Sequence, residues 1–157
     1  MDAEMTEKQT ENNIEVIGGL IKSCRAAQAG FLNAAEHVRN SDLSAYFTGM
    51  SMERARFAAE LERAAQQLGE AELSRTAAMA ERVYRAWVDL QFVRGRNDGA
   101  ILSLVSAAER TTRDFYQHAL SLEFPAGVRA LLERQAESIS DAYDQICTLR
   151  DMRGIAA

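Results

Sequence analysis

The chain has 157 residues, a net charge of −5 and a single proline, Pro125. This length suits one domain with a substantial core, and an Ala-rich composition without clusters of Val, Ile and Thr favours helices over sheets. The acidic balance argues against a general nucleic-acid-binding protein, because such a protein needs a basic surface to neutralise phosphates.

The segment at residues 1–12 reads MDAEMTEKQTEN and is polar and acidic. It lacks the basic start, apolar stretch and cleavage site of a secretory signal, and no run in the chain approaches the ~18 apolar residues of a membrane span. Cys24 and Cys147 lie on or beside apolar stripes, which favours reduced core thiols over the alternatives, a disulfide or a reactive thiol. We therefore expect a flexible tail at residues 1–12, a cytoplasmic location and no membrane partner.

The first two predicted helices are long and neighbouring. Asn12 and Asn13 are candidate caps for the first helix, which runs to about Arg39. Ser41 is a good N-cap for the second helix, and Gly69 is a natural residue to end it. Because so short a link joins the two, we expect them to pack as antiparallel neighbours.

The third predicted helix is shorter, from roughly Leu73 to Arg94, and Gly95 closes it. One face carries four apolar residues, Ala80, Val83, Trp87 and Leu90. This face predicts that Trp87 is mostly buried and packs the helix onto the remaining ones together with Val83 and Leu90.

The last two predicted helices are again long. Asn97 and Asp98 open the fourth, which runs to about Leu122. Pro125 suits the first turn of the fifth, and Gly154 marks its end.

These lengths predict the architecture. A helix of about 27 residues spans about 40 Å at 1.5 Å per residue, so the first, second, fourth and fifth helices are long enough to form a bundle. The third, at roughly 30 Å, is nearly long enough to return the chain from one end to the other. We predict an all-α, ferritin-like four-helix bundle with an additional crossover helix, forming a single domain at residues 13–152. A plain up-and-down array of five helices is the alternative.

Polar residues interrupt the apolar stripes of these helices. Glu53 and Glu60 share a stripe of the second helix with apolar residues, and Glu109 lies within a stripe of the fourth. Gln28 and Gln135 occupy similar positions in the first and fifth helices, where hydrogen-bonded core amides are expected. Buried carboxylates need partners, and inward carboxylates from several helices are also how bundles build di-metal sites.

Several segments resemble the bacterial domain-of-unknown-function family 2383, described as ferritin-like four-helix-bundle proteins. They are GFLNAAEHV at Gly30–Val38, ERARFAAEL at Glu53–Leu61, YRAWVDL at Tyr84–Leu90, NDGAIL at Asn97–Leu102, LLERQ at Leu131–Gln135 and DQICTLRD at Asp144–Asp151. The resemblance extends over about residues 14–152. It implies a ferritin-like bundle and raises the question of a di-iron-type site.

The chain departs from the pattern of this family at four positions. Members carry an acidic residue at the position of Gln28, commonly His at Tyr84 and Tyr143, and Glu at Ser106. The sequence has no Glu-x-x-His. Glu53 and Glu109 therefore remain as candidate metal ligands, and two carboxylates without imidazole make a poor transition-metal site.

The glutamates permit two interpretations. In the first, they form ion pairs at the flanks of helices, Glu53 with Arg56, Glu60 with Arg63 and Glu109 with Arg113. In the second, Glu53 and Glu109 meet across the bundle and share a proton, a water or a metal. We expect neutral hydrogen bonding or pairing with Arg, so that replacing both glutamates by Gln leaves stability unchanged or slightly raised.

Two functions follow from these patterns. The favoured one is a non-catalytic interaction or structural bundle with a degenerate metal site and no favoured cofactor, which self-associates as a homo-oligomer. Phe92, Val93 and the basic residues around Gly95 are a candidate surface for a protein partner, and a charged helix end is the alternative interpretation. The alternative is a metal-binding, di-iron-type or redox-stress protein of the ferritin-like superfamily, with iron or zinc as its metal.

Overall fold

The computed structural model describes residues 2–68 and 78–156, with side chains at 13–68 and 78–153. This part of the chain forms five α-helices and one short 3-10 helix, and no strand occurs in it. The helices are α1 (Asp2–His37), α2 (Ser41–Gln67), α3 (Ala78–Val88), the 3-10 helix Asp89–Phe92, α4 (Asp98–Leu120) and α5 (Ala126–Ala156). The prediction of an all-α fold with five helices is confirmed. Across both described stretches, no helix is long and apolar enough to cross a membrane.

Asparagine side chains cap two of the helices. The side-chain oxygen of Asn40 accepts hydrogen bonds from the backbone N–H groups of Asp42 and Leu43, at 2.9 and 3.0 Å. The cap of α2 is therefore one residue earlier than Ser41, because the Asn40 oxygen satisfies two of the free donors at the helix start. At α4, Asn97 accepts from the N–H of Ala100 at 2.8 Å, as predicted.

Other helix ends differ from the sequence prediction. α1 continues through Asn12 and Asn13, which therefore do not cap it. α5 likewise extends past Gly154. The flexible tail at residues 1–12 and the domain at 13–152 stay predictions. The start of the third helix near Leu73 and the end of the second at Gly69 lie outside the described residues.

Contacts at the two ends of the bundle fix the direction of α4 relative to α1. At one end, the Asp98 carboxylate accepts hydrogen bonds from the backbone N–H groups of Arg39 and Asn40, at 2.8 and 3.0 Å. At the other end, the Asn13 side chain donates to the carbonyl of Glu123 at 2.8 Å. α4 therefore begins where α1 ends, and the two helices are antiparallel.

The third helix runs parallel to α1. Lys22 in α1 pairs with Glu81 in α3 at 2.8 Å, and further along, the rings of Phe31 and Trp87 lie 4.8 Å apart. α3 packs on α1 and α4 and, over the residues that are described, not on α2. It thus carries the chain back along the bundle between two antiparallel pairs, α1–α2 and α4–α5. Consecutive helices are neighbours in an up-and-down array, so the lack of α2–α3 packing among the described residues agrees better with the predicted crossover.

The core is continuous between the bundle and the crossover. Trp87 is 1% exposed, and Val83 and Leu90 are buried with it, so the prediction for this face is confirmed. The Trp87 Nε1–H also donates to Thr112 Oγ1 of α4 at 2.9 Å. Gly30 of α1 makes this packing possible, since a Cβ there would lie 2.5 Å from Trp87 Cε3.

Gly30 and Gly49 form a matched pair for testing this packing. Alanine in a helix interior is favoured over glycine by about 1 kcal/mol, and a Cβ at Gly49 would meet nothing within 4 Å. Gly49→Ala is therefore expected to raise the free energy of unfolding by about 0.5 to 1 kcal/mol. Gly30→Ala is expected to lower it by about 1 to 3 kcal/mol, because the added methyl overpacks the indole.

Urea denaturation of the two variants measures both effects. If both variants changed the free energy of unfolding in the same direction and by the same amount, α1 and α3 would not pack as closely as the Gly30–Trp87 contact requires.

Candidate functional site

A buried ion pair lies at the centre of the bundle, where the sequence predicted inward carboxylates. Glu109 of α4 and Arg54 of α2 are both fully buried. Both carboxylate oxygens of Glu109 accept from the guanidinium group: Arg54 Nη1 donates to Oε1 at 2.8 Å, and Nη2 donates to Oε2. The two parallel hydrogen bonds give the fork geometry that arginine forms with carboxylates.

The pair crosses the bundle diagonally. α2 packs on α1 and α5, α4 packs on α1 and α5 as well, and direct packing of α2 on α4 is absent in the described parts of the chain. The long arginine side chain therefore spans the middle of the bundle to reach Glu109. Its guanidinium also lies 5.2 Å from the centre of the Phe31 ring, which places an aromatic face beside the cation.

Burial and the ion pair act in opposite directions on Glu109. The pKa of Glu109 is raised, because the effect of burial outweighs the charge and hydrogen bonds of Arg54, which lower it. Burial alone would lower the pKa of Arg54, but the Glu109 carboxylate outweighs that effect and the pKa of Arg54 is raised. Arg54 consequently remains a cation, and Glu109 is its counter-ion.

The expected pairing of a glutamate with arginine is observed at Glu109, but its partner is Arg54 rather than Arg113. The expectation for the double replacement by Gln must also be corrected. Removing the Glu109 charge leaves the Arg54 cation buried without a counter-ion, so the Gln variant is expected to lose stability rather than keep it.

The other candidate ligand, Glu53, lies at the border of this centre. It is half-buried, and its Oε2 lies 3.9 Å from Arg56 Nη2, as the flank-pair interpretation predicts. Its Oε1 is buried without a hydrogen-bond partner in the described structure. The negative charge of Glu53 adds to the effects that raise the pKa of Glu109. The guanidinium of Arg54 binds Glu109, while Glu53 pairs with Arg56.

A second polar network links all four helices of the bundle. Tyr116 of α4 lies 3.3 Å from the Cys24 sulfur of α1 and donates to Gln135 Oε1 of α5 at 2.7 Å. Gln135 Nε2 donates to the Phe57 carbonyl at 3.3 Å and to Glu60 Oε1 at 3.2 Å, both in α2. Gln135 is thus the hydrogen-bonded core amide that was predicted, whereas Gln28 is only half-buried.

The two cysteines are free, as expected, but differ in burial: Cys24 is buried and Cys147 is half-buried. Burial raises the pKa of Cys24 to about 11, so little of it is thiolate at pH 8. A disulfide reagent added to the native protein at pH 8 is expected to modify Cys147 and to reach Cys24 only after unfolding in urea. A Cys147→Ser variant that reacts as fast as the native protein would contradict this assignment.

Three of the positions at which the chain departs from the pattern of the resembled family have cationic neighbours. Tyr84 is exposed, with Lys22 Nζ 5.0 Å from its ring centre, and Arg113 lies 4.4 Å from the ring centre of Tyr143. Ser106 accepts a hydrogen bond from Arg150 at 3.1 Å. No group of three or more His, Cys, Asp or Glu residues that suits a metal ion occurs among the described residues. At the centre of the bundle, Arg54 occupies the carboxylate of Glu109 that a di-iron-type metal would need.

Sequence reasoning missed Arg54, the residue that fills the centre. A signal for it exists, since Arg54 lies seven residues from both Phe47 and Leu61, which are fully buried. Seven residues are two helical turns, so the three share one face. Glu53 precedes Arg54 by one residue, so its stripe is rotated by about 100° around α2 from the face of Arg54. Glu53 therefore lies at the border of the core and not in its centre.

Comparison with known proteins identifies the family. Residues 12–122 match the model of the family described as "Domain of unknown function (DUF2383)". The match covers most of the chain, so the chain belongs to this family. No curated protein matches it.

Proposed function

We propose that this member of the DUF2383 family is a non-catalytic structural and interaction bundle of the ferritin-like type. In this proposal, an arginine–glutamate ion pair takes the place that a metal ion holds in di-metal bundles. The observation that carries it is the buried pair of Arg54 and Glu109, in which both oxygens of a fully buried carboxylate bind a cation of the chain itself.

A resident guanidinium and a metal ion compete for the same carboxylate. A metal bound by Glu109 would replace the Arg54 hydrogen bonds and would lie beside a fixed positive charge. Both effects weaken cation binding at this carboxylate, because like charges in a low-dielectric interior repel strongly. The two charges also depend on each other, because removing either partner would leave the other charge buried without its counter-ion.

The topology supports the ferritin-like part of the proposal. Ferritin-like bundles have two antiparallel pairs and one long crossover, and α3 takes that course here. Both cysteines are free, which suits the reducing environment of the cytoplasm, where we place the protein. The net charge of −5 gives no support to nucleic-acid binding.

The proposed contact for self-association is at Phe92. The partner surface predicted from the sequence contained both Phe92 and Val93. Val93 is fully buried in the core, whereas Phe92 is 70% exposed. A phenylalanine this exposed beside Arg94 and Arg96 is typical of an interface residue, because aromatic and arginine side chains are enriched there.

Light scattering coupled to size-exclusion chromatography tests the interaction part. We expect a homo-oligomer that Phe92→Ser shifts toward the monomer. Met52→Ser is the matched control, because Met52 is 69% exposed in α2 and is expected to leave the mass unchanged. A strict monomer without a partner in pull-down experiments would contradict the proposal.

The alternative function, metal binding of the di-iron type, rests on one observation. Glu53 Oε1 is buried without a hydrogen-bond partner in the described structure, and a carboxylate oxygen of this kind is a potential cation ligand. Iron or zinc bound through Glu53 and Glu109 would require the guanidinium of Arg54 to leave Glu109. Metal content therefore separates the two functions.

A further inference from the structure

A groove lies between α1 and α3, on the outside of the bundle and apart from the ion pair. Its volume is about 470 Å³, within the usual range of small-molecule sites. Small residues of α1 open it, among them Gly18, Ala26 and Ala29. Tyr84, Trp87 and Val88 form the wall on the α3 side. The groove thus offers an apolar, partly aromatic surface to a ligand.

The charge of the lining has one sign. Lys22 and Arg25 line the groove, and none of its lining residues is acidic. Both cations have carboxylate partners, Glu81 for Lys22 and Glu62 for Arg25, but neither partner belongs to the lining. All four side chains are at least 38% exposed, and such exposed ion pairs contribute less than about 1 kcal/mol, so the acidic group of a ligand can exchange with Glu81 and Glu62 for the two cations. The side chains of Asn33 and Gln91 add hydrogen-bonding groups to it.

Lys22 is also positioned beside the aromatic wall. Lys22 Nζ lies 5.0 Å from the ring centre of Tyr84, within the range of a cation–π contact. The ammonium group therefore stays close to the apolar surface. A ligand with an apolar body and a negative head would contact both at once.

We propose that this groove is a binding site for a small amphipathic anion, whose aliphatic or aromatic body lies against Tyr84 and Ala29 and whose acidic group binds Lys22 and Arg25. The site does not depend on the function proposed for the ion pair or on self-association. Charge complementarity selects the anionic class, since an apolar groove alone would accept neutral and cationic amphiphiles equally well.

Intrinsic fluorescence can follow ligand binding in the groove, because Trp87 is the only tryptophan of the chain and lines the site. Titration with dodecanoate below its micelle concentration is expected to change the Trp87 fluorescence in a saturable way with one ligand per chain. Dodecyltrimethylammonium has the same tail and the opposite charge, and we expect it to bind at least about tenfold more weakly, as the loss of a hydrogen bond to a charged group implies. Equal affinities for the two would overturn the proposal.

Two variants locate the binding. Ala29→Leu places a larger side chain in the groove at an exposed position, and Ala107→Leu is the matched change at an exposed position of α4. We expect Ala29→Leu to weaken dodecanoate binding by at least about tenfold, as the loss of a well-packed apolar contact does, and Ala107→Leu to leave it unchanged. The double change Lys22→Gln and Arg25→Gln is expected to remove the preference for the anion.

Circular dichroism of each variant shows that the helices are retained. Binding that Ala29→Leu leaves unchanged in a folded protein would place the dodecanoate elsewhere and refute the groove as its site.

Discussion

Arg54→Ala is expected to lower the free energy of unfolding by about 3 to 5 kcal/mol, the range found when one partner of a buried ion pair is removed. The change leaves the Glu109 carboxylate in the core without its guanidinium and opens a cavity between α2 and α4. Urea denaturation followed by circular dichroism measures the loss. A decrease below about 1 kcal/mol would show that the pair is solvated in solution.

Two controls separate the effect of the buried pair from that of any ion pair. Arg25 and Glu62 also join two helices, but both side chains are largely exposed. Arg25→Ala is therefore expected to cost less than about 1 kcal/mol. The double change Arg54→Met and Glu109→Leu removes both charges and fills the space with apolar groups, so it is expected to be neutral or to raise stability by about 1 to 4 kcal/mol.

Trp87→Ala is expected to cost about 3 kcal/mol or more, because a large side chain that is 1% exposed leaves a large cavity. The indole packs on Phe31, with ring centres 4.8 Å apart, and its N–H donates to Thr112. Thermal or urea unfolding measures the change. If the loss were below about 1 kcal/mol, Trp87 would be exposed in solution and better explained as part of a contact surface.

Trp87→Phe divides this loss between packing and hydrogen bonding. The phenyl ring keeps the contact with Phe31 and removes the N–H group, while Thr112 keeps its own bond to the Ala108 carbonyl at 3.1 Å. We therefore expect Trp87→Phe to cost clearly less than Trp87→Ala. Equal losses would mean that the hydrogen bond, rather than packing, fixes α3 to the bundle.

The fold could be predicted from local signals in the sequence. Asn97 caps α4 through a single side-chain oxygen, and such a cap depends only on neighbouring residues. The face around Trp87 and the core position of Gln135 follow from helical periodicity, which the packing of the bundle respects. Each of these features depends on residues within a single helix, so it can be predicted without knowing which helices pack against it.

The centre of the site could not be predicted in the same way. Periodicity identifies the faces of a helix, but it does not say which face points to the middle of the bundle. Glu53 and Arg54 are adjacent and differ by about 100° around α2, so a small rotation of the helix decides which one is buried. The rotation is set by packing against α1 and α5, and Arg54 reaches Glu109 only because those helices hold α2 and α4 in diagonal positions. Helical periodicity also does not predict the burial of Phe92 and Val93. A 3-10 helix ends at Phe92, which is exposed, and the next residue, Val93, is buried.

The metal content of the protein purified without an affinity tag tests the central claim most directly. Elemental analysis is expected to find iron, zinc and manganese far below one ion per chain, because Arg54 binds the carboxylate that a metal would need. Stoichiometric iron or zinc in that sample, lost when Glu53 and Glu109 are both replaced by Gln, would contradict the claim and assign the centre to metal binding.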